Sequence, residues 1–231
     1  MSAILFIAVV GFIVGMLACK NTRYKETAYY QITGNSCWFM SKGTRGEYLI
    51  YEALHHLEAY GCKFLFNIYL PTRNGETAEI DALLITSKGL FVFESKNYGG
   101  WIFGNETHTH WTQTFPQSRG RSHKERFYNP IKQNSSHIGH LMRFLEPNIP
   151  VWSIIVFSNR CTLKDITVYS GNVHVASLRD VASVVTGCGS QMREKALSDA
   201  DISRIYNGLY PYTQVDYETK RRHMENSARY G

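Results

Sequence analysis

Cysteine is scarce in this chain. Its 231 residues hold five (Cys19, Cys37, Cys62, Cys161 and Cys188), and no two of them make a CxxC pair. An odd, widely scattered set does not build a disulfide framework, and the spacing does not suit zinc. Reduced thiols in a cytosolic domain are the simpler reading. A glycine-rich phosphate loop is missing, and so is a Gly-x-Ser-x-Gly elbow, which sets aside P-loop nucleotide chemistry and the serine-hydrolase arrangement. There is neither an internal repeat nor a low-complexity tract. One further absence is local: residues 3–19 (AILFIAVVGFIVGMLAC) contain no charge and no strongly polar group.

What remains is a globular composition, 44% hydrophobic and 19% charged, with a net charge of +6 and a pI near 9.0. The length suits one α/β domain plus an anchor. A basic balance favours anionic partners, either nucleic acid or an inner-leaflet lipid surface, without separating the two.

As a helix, residues 3–19 would span roughly 25 Å at about 1.5 Å per residue, near the short limit for a bilayer core. The start so close to Met1 and the lack of a polar face argue against a buried core helix. A cleaved signal peptide needs a basic leading region, and MSA supplies none. Met16-Leu17-Ala18-Cys19 is a loose version of a lipoprotein signal, which would put a fatty acid on Cys19. The reading adopted is an uncleaved anchor over residues 1–20. Lys20, Arg23 and Lys25 follow it and nothing basic precedes it, so the positive-inside rule leaves the remainder in the cytoplasm, as a single-pass inner-membrane protein.

After a polar, aromatic-punctuated linker (21–42), apolar residues at three- and four-residue steps predict a helix over 43–60, stopped by Gly61. Strands are expected at 63–70, 78–86 and 90–95, the latter two apolar enough to be covered on both faces. A polar, His- and Arg-rich excursion (105–128) precedes a helix over 131–145. Strands at 151–158 and 173–176, helices at 178–185 and 199–209, and a charged C-terminal tail (216–231) complete the chain. The order helix, three strands, helix, strand is an α/β pattern.

Asp81 in EIDALLI and Glu94 in FVFESKN place carboxylates inside apolar strands, where charge is rare unless paired or metal-bound. Lys96, two residues after Glu94, shares its strand face. Two carboxylates and an ammonium at one sheet end suit phosphodiester hydrolysis, with Mg²⁺ or Mn²⁺ on the carboxylates and Lys96 positioning water or stabilising charge. An ion pair closing the sheet edge is the plainer alternative. His108, His110, Trp111, Arg119, Arg121, His123, Lys124 and Arg126 interleave basic and aromatic groups, as a nucleic-acid backbone would require; a solvated loop is equally compatible.

Gly46-Glu47, EIDALLIT, Gly89-Leu90-Phe91-Val92, ESKNYGGWIFG, Trp111 and NPIKQN (129–134) together resemble a NERD (nuclease-related) domain, over roughly residues 42–145 and within the expected domain at 43–215. That family is grouped with PD-(D/E)XK nucleases. The resemblance implies a restriction-endonuclease-like αβββαβ core with a mixed sheet flanked by helices, here preceded by one transmembrane helix. It also implies metal binding by Asp81 and Glu94, catalysis by Lys96, a further carboxylate from Glu47, and completion of the site by Gln133. The expected function is a membrane-anchored, metal-dependent nuclease acting on DNA. The alternative is a non-catalytic nucleic-acid-binding or scaffold module with the same fold. Oligomeric state is not legible.

Overall fold

The computed structural model describes residues 21–35, 40–116, 122–191 and 194–230. The expected anchor at 3–19 lies outside them. Among the described residues no helix is long and apolar enough to cross a membrane.

Two mixed sheets organise the chain. The first has the order β1-β2-β3-β7-β9 and is built from β1 (Lys63–Pro71), β2 (Thr77–Thr86), β3 (Gly89–Lys96), β7 (Val151–Phe157) and β9 (Val173–Ser177). β1, β2 and β3 meander antiparallel, whereas β3–β7 and β7–β9 pair parallel. The apolar runs of β2 and β3 are buried throughout their centres, as expected for strands covered on both faces. Helices α1 (Ala28–Thr33), α2 (Lys42–Leu54), α3 (Pro130–Leu141), α4 (Val181–Ser190) and α5 (Asp199–Leu209) flank this sheet. The helical spacing read over 43–60 breaks after Leu54, and His55–Tyr60 tighten into a 3₁₀ turn that ends on Gly61 at φ 81°.

The second sheet, ordered β6-β5-β4-β8, departs from the sequence reading. Most of the stretch taken as a polar excursion forms β5 (His110–Pro116) and β6 (Ser122–Tyr128), joined to β4 (Gly100–Asn105) and to β8 (Cys161–Thr167). Their residues are too polar to announce themselves as strands, because only one face of this sheet is covered. Ile102 and Trp111 on that face pack with Ile155 and Phe157 of β7 and with Ile131 of α3, forming a second core that ties the two sheets together. Gly104 is required here, since a Cβ would lie 2.1 Å from the Trp111 ring.

Two other stretches are more structured than their polarity indicated. Within the expected linker, α1 is capped by Thr27 and sinks Tyr29 and Ile32 into the main core. The expected tail folds as α6 (Tyr217–Tyr230), which packs against β2. The nuclease-like order survives in full: α2, β1, β2, β3, α3, β7, with β4–β6 inserted before α3.

Candidate active site

The site begins where two strands part. The last β2–β3 pair is Ala82 with Phe93. One step further on, β3 continues along β7, with Glu94 opposite Ile155 and Lys96 opposite Phe157. The Ser95 amide left facing β2 needs an acceptor, and Asp81 Oδ2 takes its hydrogen at 2.8 Å. Asp81 therefore caps the fork with one oxygen.

Glu94 and Lys96, two residues apart on β3, share one face of that strand end. The Lys96 ammonium donates to Glu94 Oε1 at 2.6 Å and to Gln133 Oε1 at 2.9 Å. Gln133 is held on α3 by the residues around it. Asn129 caps the helix and donates to the carbonyls of Asn105, Glu106 and His108, and Pro130 fills the first turn. Asn134, fully buried, donates to Val92 O and Ser153 Oγ and so fixes α3 onto β3 and β7. The NPIKQN segment is thus a clamp that presents Gln133.

Glu47 comes from α2 and is only 7% exposed. Its neighbour Gly46 lets the helix lie against β3, since a Cβ there would meet Ser95 Oγ at 2.2 Å. All five residues expected from the sequence are therefore drawn to one end of the sheet.

The electrostatics are those of crowded anions. Burial and the neighbouring Glu94 and Glu79 push the Asp81 carboxyl up to about 7. Burial, Asp81 and Glu79 hold Glu47 well above the carboxylate range. Burial also raises Glu94, against the pull of Lys96. Lys96 is itself desolvated, which lowers its basicity, but Glu94 and Asp81 more than offset this and keep it charged.

Four more residues complete the surroundings. Glu79 lies two positions before Asp81 on the same strand face, a period-two signal that the sequence did offer. His137, one turn after Gln133, puts Nε2 3.5 Å from Glu94 Oε2; burial pushes its imidazole down to about 4 and leaves it neutral. His223 of α6 approaches Glu79 at 3.2 Å and Thr77 Oγ1 at 3.1 Å, and nothing local in sequence pointed to it. Tyr69, across from Glu79 on β1, is close enough that burial and Glu79 raise its hydroxyl. A cleft of about 460 Å³ opens beside them, lined by Thr77, Tyr128, Gln133, His137, His140 and His223 among others.

The nuclease-related domain model matches residues 42–158, from the start of α2 to the end of β7. The chain belongs to the nuclease-related domain family. This domain is part of the PD-(D/E)XK nuclease-like superfamily, whose members generally use divalent metals. An uncharacterized protein of Bacillus anthracis is 30% identical over 184 residues, covering 80% of this chain and 82% of that relative. No solved structure matches the chain.

Within this nuclease-related domain, no three His, Cys, Asp or Glu side chains among the described residues stand together as a ready-made metal cage. Asp81 and Glu94, with Glu47, are the carboxylates that the resemblance implies as ligands. The donor set nonetheless fits a hard divalent ion. Glu47 Oε2 and Glu94 Oε2 are buried without a hydrogen-bond partner, and Mg²⁺ binds through one or two carboxylates, with waters and substrate phosphate completing its shell.

Proposed function

We propose that this protein is a metal-dependent phosphodiesterase acting on nucleic acid, with DNA as the expected substrate, tethered to the inner membrane through residues 3–19. The observation that carries the reading is the buried Glu94–Lys96–Gln133 chain beside Asp81, with carboxylate oxygens left unpartnered in a low-dielectric setting.

Asp81 and Glu94 are the residues to hold Mg²⁺ or Mn²⁺, with Glu47 contributing directly or through a water. The bound ion would offset the carboxylates' repulsion of phosphate and polarise a water. In the reaction a water oxygen bonds to phosphorus as the scissile P–O bond breaks. One product then ends in phosphate and the other in a hydroxyl. Lys96 keeps its proton, so its role is that of donor: it orients the attacking water and stabilises negative charge on the phosphate in the transition state. Gln133 holds the ammonium in place from the far side. His137 is neutral and lies against Glu94, where it excludes solvent from the site. The apolar segment at 3–19 and the basic residues behind it support the tether and the cytoplasmic placement of the domain.

The test is cleavage of linear, circular and single-stranded DNA, and of RNA, by the full-length chain in a mild detergent, with Mg²⁺, Mn²⁺ or EDTA. Replacing Lys96 by Ala should lower metal-dependent cleavage by roughly 10²–10³-fold, the usual cost of one transition-state donor. Cleavage that survives this change undiminished would sink the assignment. A folded wild type that cuts nothing, and whose calorimetric Mg²⁺ uptake does not depend on Glu94, would make the protein a binding or scaffold module instead.

A further inference from the structure

The second sheet has a face that nothing in the described structure covers. Along its strands, Ile102, Trp111 and Phe127 point into the second core. The alternate residues point outward. Lys124, Thr114, Trp101 and Thr162 form one cross-strand row; Arg126, Thr112 and Phe103 form the next; Tyr128 and His110 end the series. Trp101 is 38% exposed and Tyr128 42%. The Lys164 ammonium lies 4.9 Å from the centre of the Trp101 ring. Lys124 and Arg126 are exposed and form no ion pair among the described residues. In register, three cations face one carboxylate, Asp165, opposite Phe103. Between Trp101 and Lys124, Thr114 is only 5% exposed, and its buried hydroxyl has no hydrogen-bond partner.

This face leads to the site. Tyr128 ends β6 and also lines the cleft together with Gln133 and His137. Rings set among cations on a flat sheet suit a strand whose bases are free to stack and whose phosphates need neutralising. In a duplex the bases are already stacked on one another, so the rings of Trp101 and Tyr128 would find no open base face.

We propose that the outer face of the second sheet, through Trp101, Lys124, Arg126, Lys164 and Tyr128, binds a single-stranded stretch of nucleic acid and leads it into the cleft. The direction of travel rests on the nuclease reading above; the binding itself does not.

Binding can be measured without cutting. The full-length chain in non-ionic detergent and EDTA is titrated into a fluorescein-labelled oligothymidylate, a duplex of the same length, and vesicles of phosphatidylserine and phosphatidylcholine. Trp101→Ala should weaken oligothymidylate binding about tenfold, and Trp101→Phe should restore most of it, because a ring remains to stack on. Lys124→Ala with Arg126→Ala should weaken binding about tenfold at low salt and reduce the slope of log affinity against log salt by about 1.4, two contacts at roughly 0.7 each. Unchanged oligothymidylate binding in both surface variants overturns the proposal. So does equal affinity for the duplex, or a loss confined to vesicle binding. Should the protein bind the strand through this face yet cut nothing, the nuclease reading fails and the docking surface stands.

Discussion

Two contacts between a basic side chain and a carboxylate, of nearly equal length, sit in the two sheets. Lys96 and Glu94 meet at 2.6 Å with side chains 15% and 3% exposed, whereas His123 and Glu125 meet at 2.9 Å with side chains 56% and 57% exposed. Distance does not distinguish them, but surroundings do. In the first sheet the pair is desolvated and adjoins Asp81 and Gln133, so removing either partner strands the other in an apolar medium, where an unpaired charge costs about 3–5 kcal/mol. In the second sheet water screens both groups, and such pairs contribute on the order of 0–1 kcal/mol. The first sheet concentrates electrostatic energy at a point, while the second spreads charge over a surface.

The contrast can be broken most forcefully at the seam. Trp111 belongs to the second sheet but packs on Phe157 of the first, with the rings stacked at 6.1 Å. Trp111→Ala should cost about 3–5 kcal/mol in chemical denaturation, and both sheets should unfold in one transition. Two separated transitions would mean that the second core does not couple them. Next in size comes Gly46→Ala. Relieving a helical glycine gains about 1 kcal/mol, while crowding the Ser95 hydroxyl costs about 1–3 kcal/mol, so net stability should fall slightly. Activity should fall further, about tenfold, because Glu47 is pushed off its position. Ser95→Ala should rescue both, and an absence of rescue would dissociate Glu47's placement from this contact.

A third test uses protons. Asp81 holds its proton up to about 7 in the folded chain and gives it up near 3.8 when unfolded. Its contribution to metal-free stability is therefore fully present in acid and is lost as pH rises through 7. Between pH 5.5 and 8.5 the wild type should lose more stability to denaturant than Asp81→Asn does; parallel losses would remove Asp81 from the account. His223 carries the same sign by another cause. Its hydrogen bond to Glu79 raises it above 6.5 against the effect of burial, so its support of α6 should fade as pH climbs past that raised value. Hydrogen exchange of the α6 amides, corrected for the intrinsic rate, would report this. The smallest effect belongs to the exposed pair: His123→Ala should change stability by no more than about 0.5 kcal/mol, and a larger loss would mean that β6 is less solvated than its exposure indicates.

The acids of the first sheet were legible because they interrupt apolar runs, where a charge demands a reason. EIDALLI and FVFES state the anomaly in their letters. Glu79 is equally visible by period, two positions before Asp81, but it stands near the polar end of β2, where a charge is less anomalous. The second sheet was not legible. HWTQTFP and SHKERFY carry one apolar stripe between them, and the partner that makes β6 a strand is β5, not its own pattern. The linker's aromatics hinted at α1, whose Tyr29 is wholly buried, whereas His223 owes its place entirely to tertiary docking.

The parallel pairing of β3 with β7 also imposes an order in time. Glu94 and Lys96 are fixed by a strand made much later in synthesis, after β4, β5, β6 and α3 have left the ribosome. Parallel pairing over such a span must close a long loop before any contact rewards it. A nascent chain that stops short of Val151 holds every acid of the site but lacks the strand that sets their geometry, so the chemistry waits for the fold to be finished.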